Sequence, residues 1–178
     1  SAGAHIDIHT GNGIIRQYSL CNDSRERHRY VVAIALAKPS RGGSEWIHQQ
    51  LKQGDLIDIG APRNHFELNP NATHSVLVAG GIGITPMLAM AMALDAQKKS
   101  WEIHFSARTK SEAALLNTVN EFMASAQHGA LHLYLTREQD GQRINFSELY
   151  SKATSSTHYY CCGSNEFLNA YIDAGSVL

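Results

Sequence analysis

The stretch VLVAGGIGITPMLAM, residues 76–90, decides the fold of the second half of the chain. A short apolar run at 75–79 leads directly into Gly80, Gly81 and Gly83, and a helical pattern follows. Glycines between a strand and a helix let the backbone approach a diphosphate, and the positive end of the helix favours that anion. The spacing is not G-x-G-x-x-G, so the residues alone leave two interpretations open: a phosphate-binding turn or an ordinary tight turn.

Two residues at the start of the predicted helix 84–97 suit the phosphate-binding interpretation. Thr85 could offer a hydroxyl, and Pro86 fits a first helical turn, where its missing amide hydrogen costs nothing. The apolar positions that follow at helical spacing predict core packing and no functional role: Met87, Leu88, Ala91 and Leu94.

The same rhythm of strand and helix continues from this turn toward the end of the chain. Strands are predicted at 75–79, 101–107, 131–135 and 157–161. Helices are predicted at 84–97, 111–126 and 146–153. This alternation indicates a doubly wound parallel sheet, with helices on both faces.

The residues before the turn show a different, β-type pattern. Strands are predicted at 4–9, 14–20, 30–36 and 56–59. Gly11-Asn12-Gly13 is expected to supply the positive-φ residues of a tight turn, and a short helix at 44–51 is expected to be capped by Ser44. Several short strands and one helix predict a small antiparallel barrel or sandwich. The segment 66–74 has the polar residues and proline of a linker, so the predicted domains are 1–70 and 71–178.

A second glycine turn, formed by Arg41, Gly42, Gly43 and Ser44, precedes the short helix. Backbone amides, an arginine and a hydroxyl at a helix start would suit a terminal phosphate. A solvated loop with an N-cap serine explains the same residues equally well.

Composition excludes several classes of protein. Of 178 residues, 43% are hydrophobic and 17% charged, which allows a packed core and argues against disorder. Fifteen basic residues against sixteen acidic ones give a net charge of −1, with no electrostatic footprint for nucleic acid or an anionic membrane. With no apolar run near the ~20 residues of a membrane span and no signal-like start, a cytoplasmic location is expected.

Neither the cysteines nor the histidines suggest a metal or disulfide framework. Cys21, Cys161 and Cys162 are three in number, too few for an ordinary iron–sulfur cluster. His5 and His9 could share one face of a strand, but no third ligand stands nearby. No metal site is therefore expected from the sequence.

Four segments in order resemble the ferredoxin-NADP reductase superfamily: RQYSL at 16–20, RGGS at 41–44, GGIGITP at 80–86 and YCCG at 160–163. YSLCNDS with RHRYVVAI, and APRNHFEL before the glycine turn, narrow the resemblance to the phthalate dioxygenase reductase and vanillate demethylase reductase branch. The resemblance covers nearly the whole chain. It implies a flavin-binding β-barrel followed by a nucleotide-binding α/β domain.

By this resemblance, Tyr18 packs against the flavin rings and Ser19 hydrogen-bonds near the nitrogen that accepts the hydride. Arg16 contacts the flavin phosphate, and the turn from Arg41 to Ser44 helps to bind it, through Gly43 and Ser44 in particular. The branch uses FMN, while many relatives elsewhere in the superfamily use FAD. Without the family, Arg16 and Tyr18 would be interpreted as a surface charge and a barrel-lining aromatic.

The resemblance also places the dinucleotide. Gly81, Gly83 and Thr85 are expected to lie against it where it meets the flavin, with Gly80 and Pro86 in the same turn. Cys162, before Gly163, matches a family cysteine near the nicotinamide, but no role as a nucleophile is expected. Arg108 follows the second strand and could meet a ribose phosphate, stack on adenine or face solvent. Because the branch prefers NADH, NADH is expected over NADPH.

The implied function is hydride transfer from NADH to bound FMN, with alignment and electronic tuning as the protein's tasks. In the family, electrons then pass singly to an iron–sulfur centre and a Rieske-type oxygenase. Two alternatives remain: a truncated, non-catalytic nucleotide-binding fragment, and a reductase of free flavin or of a separate ferredoxin. They remain because family members have strands before the equivalent of Gly3, carry an iron–sulfur domain that this sequence lacks, and usually have proline at the position of Ser164.

Overall fold

The computed structural model describes residues 1–138 and 141–176, and these contain two β-sheets. The first sheet and its helix comprise β1 (His5–His9), β2 (Ile15–Ser19), α1 (Gly43–Gln50) and β3 (Asp58–Ile59). The second sheet and its helices comprise β4 (His74–Gly80), α2 (Ile84–Ala96), β5 (Ser100–Ala107), α3 (Leu116–Met123), β6 (Gly129–Leu135), α4 (Phe146–Ser151), β7 (Thr157–Cys162) and α5 (Asn165–Gly175).

The first sheet is antiparallel, with strand order β2-β1-β3. Its hairpin brings His9 opposite Ile15. Of the three residues expected to take positive φ in the connecting turn, only Gly13 does, at 79°. Gly11 has a different role, since a Cβ there would lie 2.6 Å from the indole of Trp46. Gly11 is therefore required for close packing, and the prediction was wrong for it and for Asn12.

The predicted strand at 30–36 is absent, apart from one bridge between Leu20 and Val32. Side chains form hydrogen bonds with backbone groups of this segment that a neighbouring strand would bond in a sheet. Asn22 accepts from the amide of Val31 (3.0 Å), and Nε2 of His48 donates to the carbonyl of Ile34 (2.8 Å). Satisfied in this way, the segment stays extended without a ladder.

Helix α1 begins one residue earlier than predicted, and Ser44 does not cap it. The N-cap is Gly42, whose φ of 88° only glycine adopts readily. Ser44 lies buried inside the first turn, where its hydroxyl accepts a hydrogen bond from the amide of Ala37 (3.2 Å). Ser44 thus ties the incoming chain to the helix.

The second sheet is parallel in order β6-β5-β4-β7, and helices cover both faces. On one face α2 and α3 bury a large apolar cluster that includes Leu77, Ile103 and Phe105. On the other face α4 and α5 cover a smaller cluster around Val76 and Val78. The predicted fold class, an antiparallel flavin-domain-like sheet followed by a doubly wound α/β unit, is confirmed.

Two helices differ from their predictions. The expected helix at 111–126 is divided into a 3-10 turn at Lys110–Glu112 and the shorter α3, because Leu115 between them adopts a left-handed φ of 56°. Helix α5 was not predicted. It is capped by Ser164, whose hydroxyl accepts from the amide of Phe167 (3.3 Å).

The two sheets are joined through the segment predicted as a linker. Phe66 packs edge-on against Tyr160, with ring centroids 5.8 Å apart, and the amide of Asn69 donates to the Tyr160 hydroxyl (2.7 Å). Ala2 is buried in the core of the second sheet. The domain boundary at 70 stays a prediction. Within the described part of the chain, no helix combines the length and apolarity needed to cross a membrane.

Candidate functional site

The carboxyl ends of the four parallel strands meet at one edge of the second sheet. The chain runs from β4 outward to β5 and β6, then crosses to the opposite side of β4 to form β7. The connections that leave β4 at Gly80 and β7 at Cys162 therefore run to opposite faces of the sheet. Open α/β sheets bind ligands in the crevice at such a point.

A cavity of about 680 Å³ opens at this edge. Gly80 and Gly81 at the end of β4 line one side of it, and Arg108 after β5 lines another. The structure therefore brings these three predicted residues together. The remaining lining residues are Ser106, Ala107, Glu112, Thr136, Arg143, Ile144, Phe146, Ser164, Glu166, Phe167 and Ala170.

Gly81 leaves room in this cavity for a phosphate group to approach the backbone. Its φ is 55°, and a Cβ built on it would meet no atom within 4 Å, so any side chain there would project into open space. Gly80 is constrained by packing instead, because a Cβ there would lie 2.8 Å from the ring of Phe167. A diphosphate could thus approach the backbone closely at Gly81, beside the start of α2.

The other predicted residues of the turn face inward. Gly83 is buried, and a Cβ there would overlap the carbonyl oxygen of Cys162. Thr85 is 5% exposed and its hydroxyl donates to the carbonyl of Ile82 (3.0 Å). Pro86 is buried in the first turn of α2. These residues shape the turn, and their contact with a ligand stays a prediction.

Cys162 lies at the end of β7, paired with Ala79 of β4. Burial raises the pKa of its thiol, so it carries a proton at neutral pH. A protonated thiol is a poor nucleophile. Gly163 follows, and its missing side chain lets the ring of Phe167 approach, since a Cβ would lie 2.7 Å from Cδ1.

Several cavity residues were not predicted from the sequence. Phe146 and Phe167 supply an apolar wall and meet edge to face, with centroids 5.5 Å apart. Glu112 and Arg143 add charges of opposite sign. Phe167 lies in the first turn of α5. The sequence signal that could have located it is Ser164, which follows Gly163 and caps this helix.

The second candidate region lies at the start of α1. Arg16 on β2 extends along the glycine turn, where a Cβ on Gly43 would lie 2.7 Å from its Cγ. Its guanidinium donates to the carbonyl of Arg41 (3.5 Å). Asn12, which the sequence analysis missed, donates to the carbonyl of Gly42 (3.3 Å). A cation and the amide end of α1 are therefore adjacent, as an anion site requires.

Tyr18 and Ser19 follow Arg16 on the same strand. Both are half-buried, and Tyr18 pairs with Ile6 and packs against the apolar cluster beneath this sheet. Burial raises the pKa of the Tyr18 phenol, which stays protonated at neutral pH. The Ser19 hydroxyl makes no hydrogen bond with any described residue and is free to meet a ligand.

Comparison with known proteins places the chain in a family. Residues 77–173, more than half of the chain, match the family model described as the oxidoreductase NAD-binding domain. The chain is 40% identical over 171 residues to phenoxybenzoate dioxygenase subunit beta of Ectopseudomonas oleovorans, covering 96% of this chain and 51% of that protein. It is 38% identical over 173 residues to vanillate O-demethylase oxidoreductase of Acinetobacter baylyi, with coverages of 97% and 53%.

A solved structure agrees with these sequence matches. Phthalate dioxygenase reductase superposes with a TM-score of 0.89 at 33% identity, covering 99% of this chain and 54% of that one. The chain thus spans about half the length of the curated relatives it matches. The chain belongs to the oxidoreductase NAD-binding domain family and represents the ferredoxin-reductase-like portion of the phthalate dioxygenase reductase and vanillate O-demethylase reductase branch.

Proposed function

We propose that this chain takes a hydride from NADH and delivers it to a bound FMN. The observation that carries the proposal is Gly81, a positive-φ residue that faces open space in the cavity where β4 and β7 diverge. Membership of an NAD-binding family supports the assignment of that cavity to the dinucleotide. The flavin, when bound, supplies the hydride acceptor, so the protein's task is alignment and electrostatic tuning.

The protein residues divide this task between two regions. At the sheet edge, Gly81 admits the diphosphate, and Phe146 and Phe167 provide an apolar surface for the rest of the dinucleotide. At the start of α1, Arg16 and the amide of Gly43 neutralise a terminal phosphate. FMN is the proposed flavin, as the family resemblance implies, with FAD as the alternative.

Ser19 is proposed to hydrogen-bond near the flavin nitrogen that receives the hydride. Because its hydroxyl has no partner within the described residues, Ser19→Ala should leave the fold intact. Losing one hydrogen bond at the reacting atoms should slow flavin reduction about tenfold, with little change in FMN affinity. Anaerobic stopped-flow absorbance with NADH measures the rate. Ser125→Ala, at an exposed site beyond α3, is the control, and an S19A rate equal to that of the parent would remove the assigned role.

NADH is proposed over NADPH because of Glu112. Its carboxylate shares the cavity with Arg108 and would repel a ribose 2′-phosphate, whereas a carboxylate suits a free 2′-hydroxyl. Glu112→Gln should therefore improve NADPH affinity relative to NADH about fivefold, equivalent to about 1 kcal/mol. Competitive titration with the two nucleotides measures the ratio. Glu121→Gln, at an exposed position of α3, should leave it unchanged, and an unchanged ratio in E112Q would place the adenosine ribose elsewhere.

The onward path of the electrons is also a proposal. The two sequence relatives are named as components of a dioxygenase and a demethylase. The solved neighbour is described as transferring electrons from pyridine nucleotides to a [2Fe-2S] centre. By analogy, reduced FMN here would pass electrons to an iron–sulfur centre in another domain or protein, and then to a Rieske-type oxygenase.

One experiment tests the core of the proposal. The purified chain is incubated with FMN, washed, and examined by visible absorbance before and after anaerobic NADH. Retained flavin that bleaches would establish hydride transfer. Flavin lost on washing, with NADH binding intact, would favour a nucleotide-binding piece that lacks catalysis. Bleaching of free FMN under turnover, with none retained, would favour a reductase of free flavin.

A further inference from the structure

Three imidazoles converge on one carboxylate on the face of the second sheet that α4 partly covers. Glu102, in the middle of β5, lies 3.4 Å from Nε2 of His104, 3.3 Å from Nε2 of His132 and 3.6 Å from Nε2 of His74. The ligand atoms of Glu102, His104 and His132 all lie within 4.8 Å of one another. We call these three residues the β5–β6 cluster.

Strand register creates the cluster. Glu102 and His104 stand two residues apart on β5 and so project from the same face. His132 is the direct partner of His104 on β6, and their rings stack with centroids 4.6 Å apart. The local sequence does not indicate this arrangement, because it depends on the pairing of two strands whose histidines are far apart in the chain.

Hydrogen bonds behind two of the imidazoles orient them toward the carboxylate. The Tyr134 hydroxyl lies 3.0 Å from Nδ1 of His104, and the Ser100 hydroxyl lies 2.8 Å from Nδ1 of His74. In metal sites, partners of this kind fix the ring and leave the other nitrogen for the ion. Here they leave both Nε2 atoms facing Glu102.

One ring nitrogen of His104 is buried and unpartnered among the described residues. Its side chain is only 8% exposed, and its Nε2 is buried without a hydrogen-bond partner.

The distances within the cluster suit a tetrahedral ion. Metal bonds of about 2.0–2.2 Å at tetrahedral angles separate neighbouring ligand atoms by about 3.3–3.5 Å. Oε1 of Glu102 lies 3.4 Å from Nε2 of His104, and Oε2 lies 3.3 Å from Nε2 of His132, so each imidazole is already at such a distance from the carboxylate. Imidazole nitrogens with one carboxylate select zinc and its transition-metal neighbours rather than calcium or magnesium.

We propose that Glu102, His104 and His132 bind a divalent transition-metal ion such as Zn²⁺. The side chain of His132 is 45% exposed, which provides entry from solvent and leaves a coordination position for water. Because β6 is the edge strand of the sheet, the ion would fasten that edge to β5. Nε2 of His74, on β4, lies 3.6 Å from the same carboxylate.

Equilibrium dialysis of the full chain against Zn²⁺ tests the proposal. One equivalent should bind, and His132→Ala should weaken binding at least tenfold without unfolding the chain, since this side chain is exposed. His28→Ala removes another exposed imidazole and should bind like the parent. Equal Zn²⁺ affinity in H132A and the parent, or no binding by either, would overturn the site.

Cobalt provides an independent measurement. Co²⁺ bound by two imidazoles and a carboxylate should give visible d–d bands without a sulfur-to-cobalt charge-transfer band, and H132A should lose them. A charge-transfer band retained in H132A would assign the ion to Cys161 or Cys162 and would overturn the proposal. Neither measurement depends on flavin or nucleotide binding, so it stands or falls separately from the proposed reductase activity.

Discussion

Replacing Gly83 with alanine is expected to lower the free energy of unfolding by about 3 kcal/mol. A Cβ on Gly83 would overlap the carbonyl group of Cys162 and lie 3.0 Å from the amide nitrogen of Gly163. These are backbone atoms at the end of β7, so no rotation of a side chain relieves the overlap. Helix α2 would have to move away from the sheet, whose buried core it covers. Urea unfolding followed by circular dichroism measures the change.

Gly54→Ala is the matched control for Gly83→Ala. Gly54 has a φ of 92°, and a Cβ there would meet no atom within 4 Å. It should therefore lose only the roughly 1 kcal/mol that a left-handed backbone costs an alanine. Gly83 has an ordinary helical φ of −60° and so carries no such strain. Equal losses in the two variants would therefore mean that most of the overlap between Gly83 and β7 is relieved. Gly83→Ala should also reduce NADH binding, because the contact between Gly83 and β7 positions the turn whose Gly80 and Gly81 line the cavity.

The parallel half of the fold could be predicted because its signals are local. The apolar run into Gly80, with Pro86 in the next turn, specifies a strand that passes directly into a helix. In the structure β4 ends at Gly80 and α2 begins at Ile84, as this pattern requires. A strand buried on both faces needs only an apolar run, and β4 has one, whereas β5 alternates apolar and polar residues.

The failures arose where long-range contacts decide the backbone. The run at 30–36 has strand composition, but Asn22 and His48 satisfy its backbone groups from distant positions. Leu115 lies within a helical pattern yet takes a left-handed φ of 56°. The local sequence indicates neither the missing strand nor the left-handed residue, because tertiary context overrides secondary-structure propensity at both places.

The candidate site was predicted in part for the same reason. Gly80, Gly81 and Arg108 follow predicted strands, and residues at the carboxyl ends of parallel strands meet at one edge. Glu112 and Phe167 reach the cavity only through a 3-10 turn and a helix that the sequence did not predict. The motif resemblance predicted that Arg16 and the glycine turn at Gly43 serve the same phosphate, which composition alone does not indicate.

Replacing Gly81 with asparagine is expected to weaken NADH binding by about 2 kcal/mol, roughly thirtyfold. Asparagine tolerates left-handed backbone better than other side chains, so the φ of 55° should persist. Its side chain would then occupy the open space beside Gly81, where the diphosphate is proposed to approach. Calorimetric titration with NADH measures the affinity.

The matched control for this substitution is Gly13→Asn. Gly13 also has a positive φ, 79°, and a Cβ there would also meet no atom within 4 Å, but it lies in the β1–β2 turn and not in the cavity. Both variants carry the same backbone strain, so a difference in NADH affinity between them isolates the occupied space. Equal affinity in the two variants would mean that the diphosphate does not approach Gly81.

FMN affinity should be equal in both, because Gly81 acts at the sheet edge and the flavin phosphate is proposed to bind near Arg16. A loss of NADH affinity in G81N with FMN binding intact would therefore show that the two cofactors use separate anion sites, one at each glycine turn.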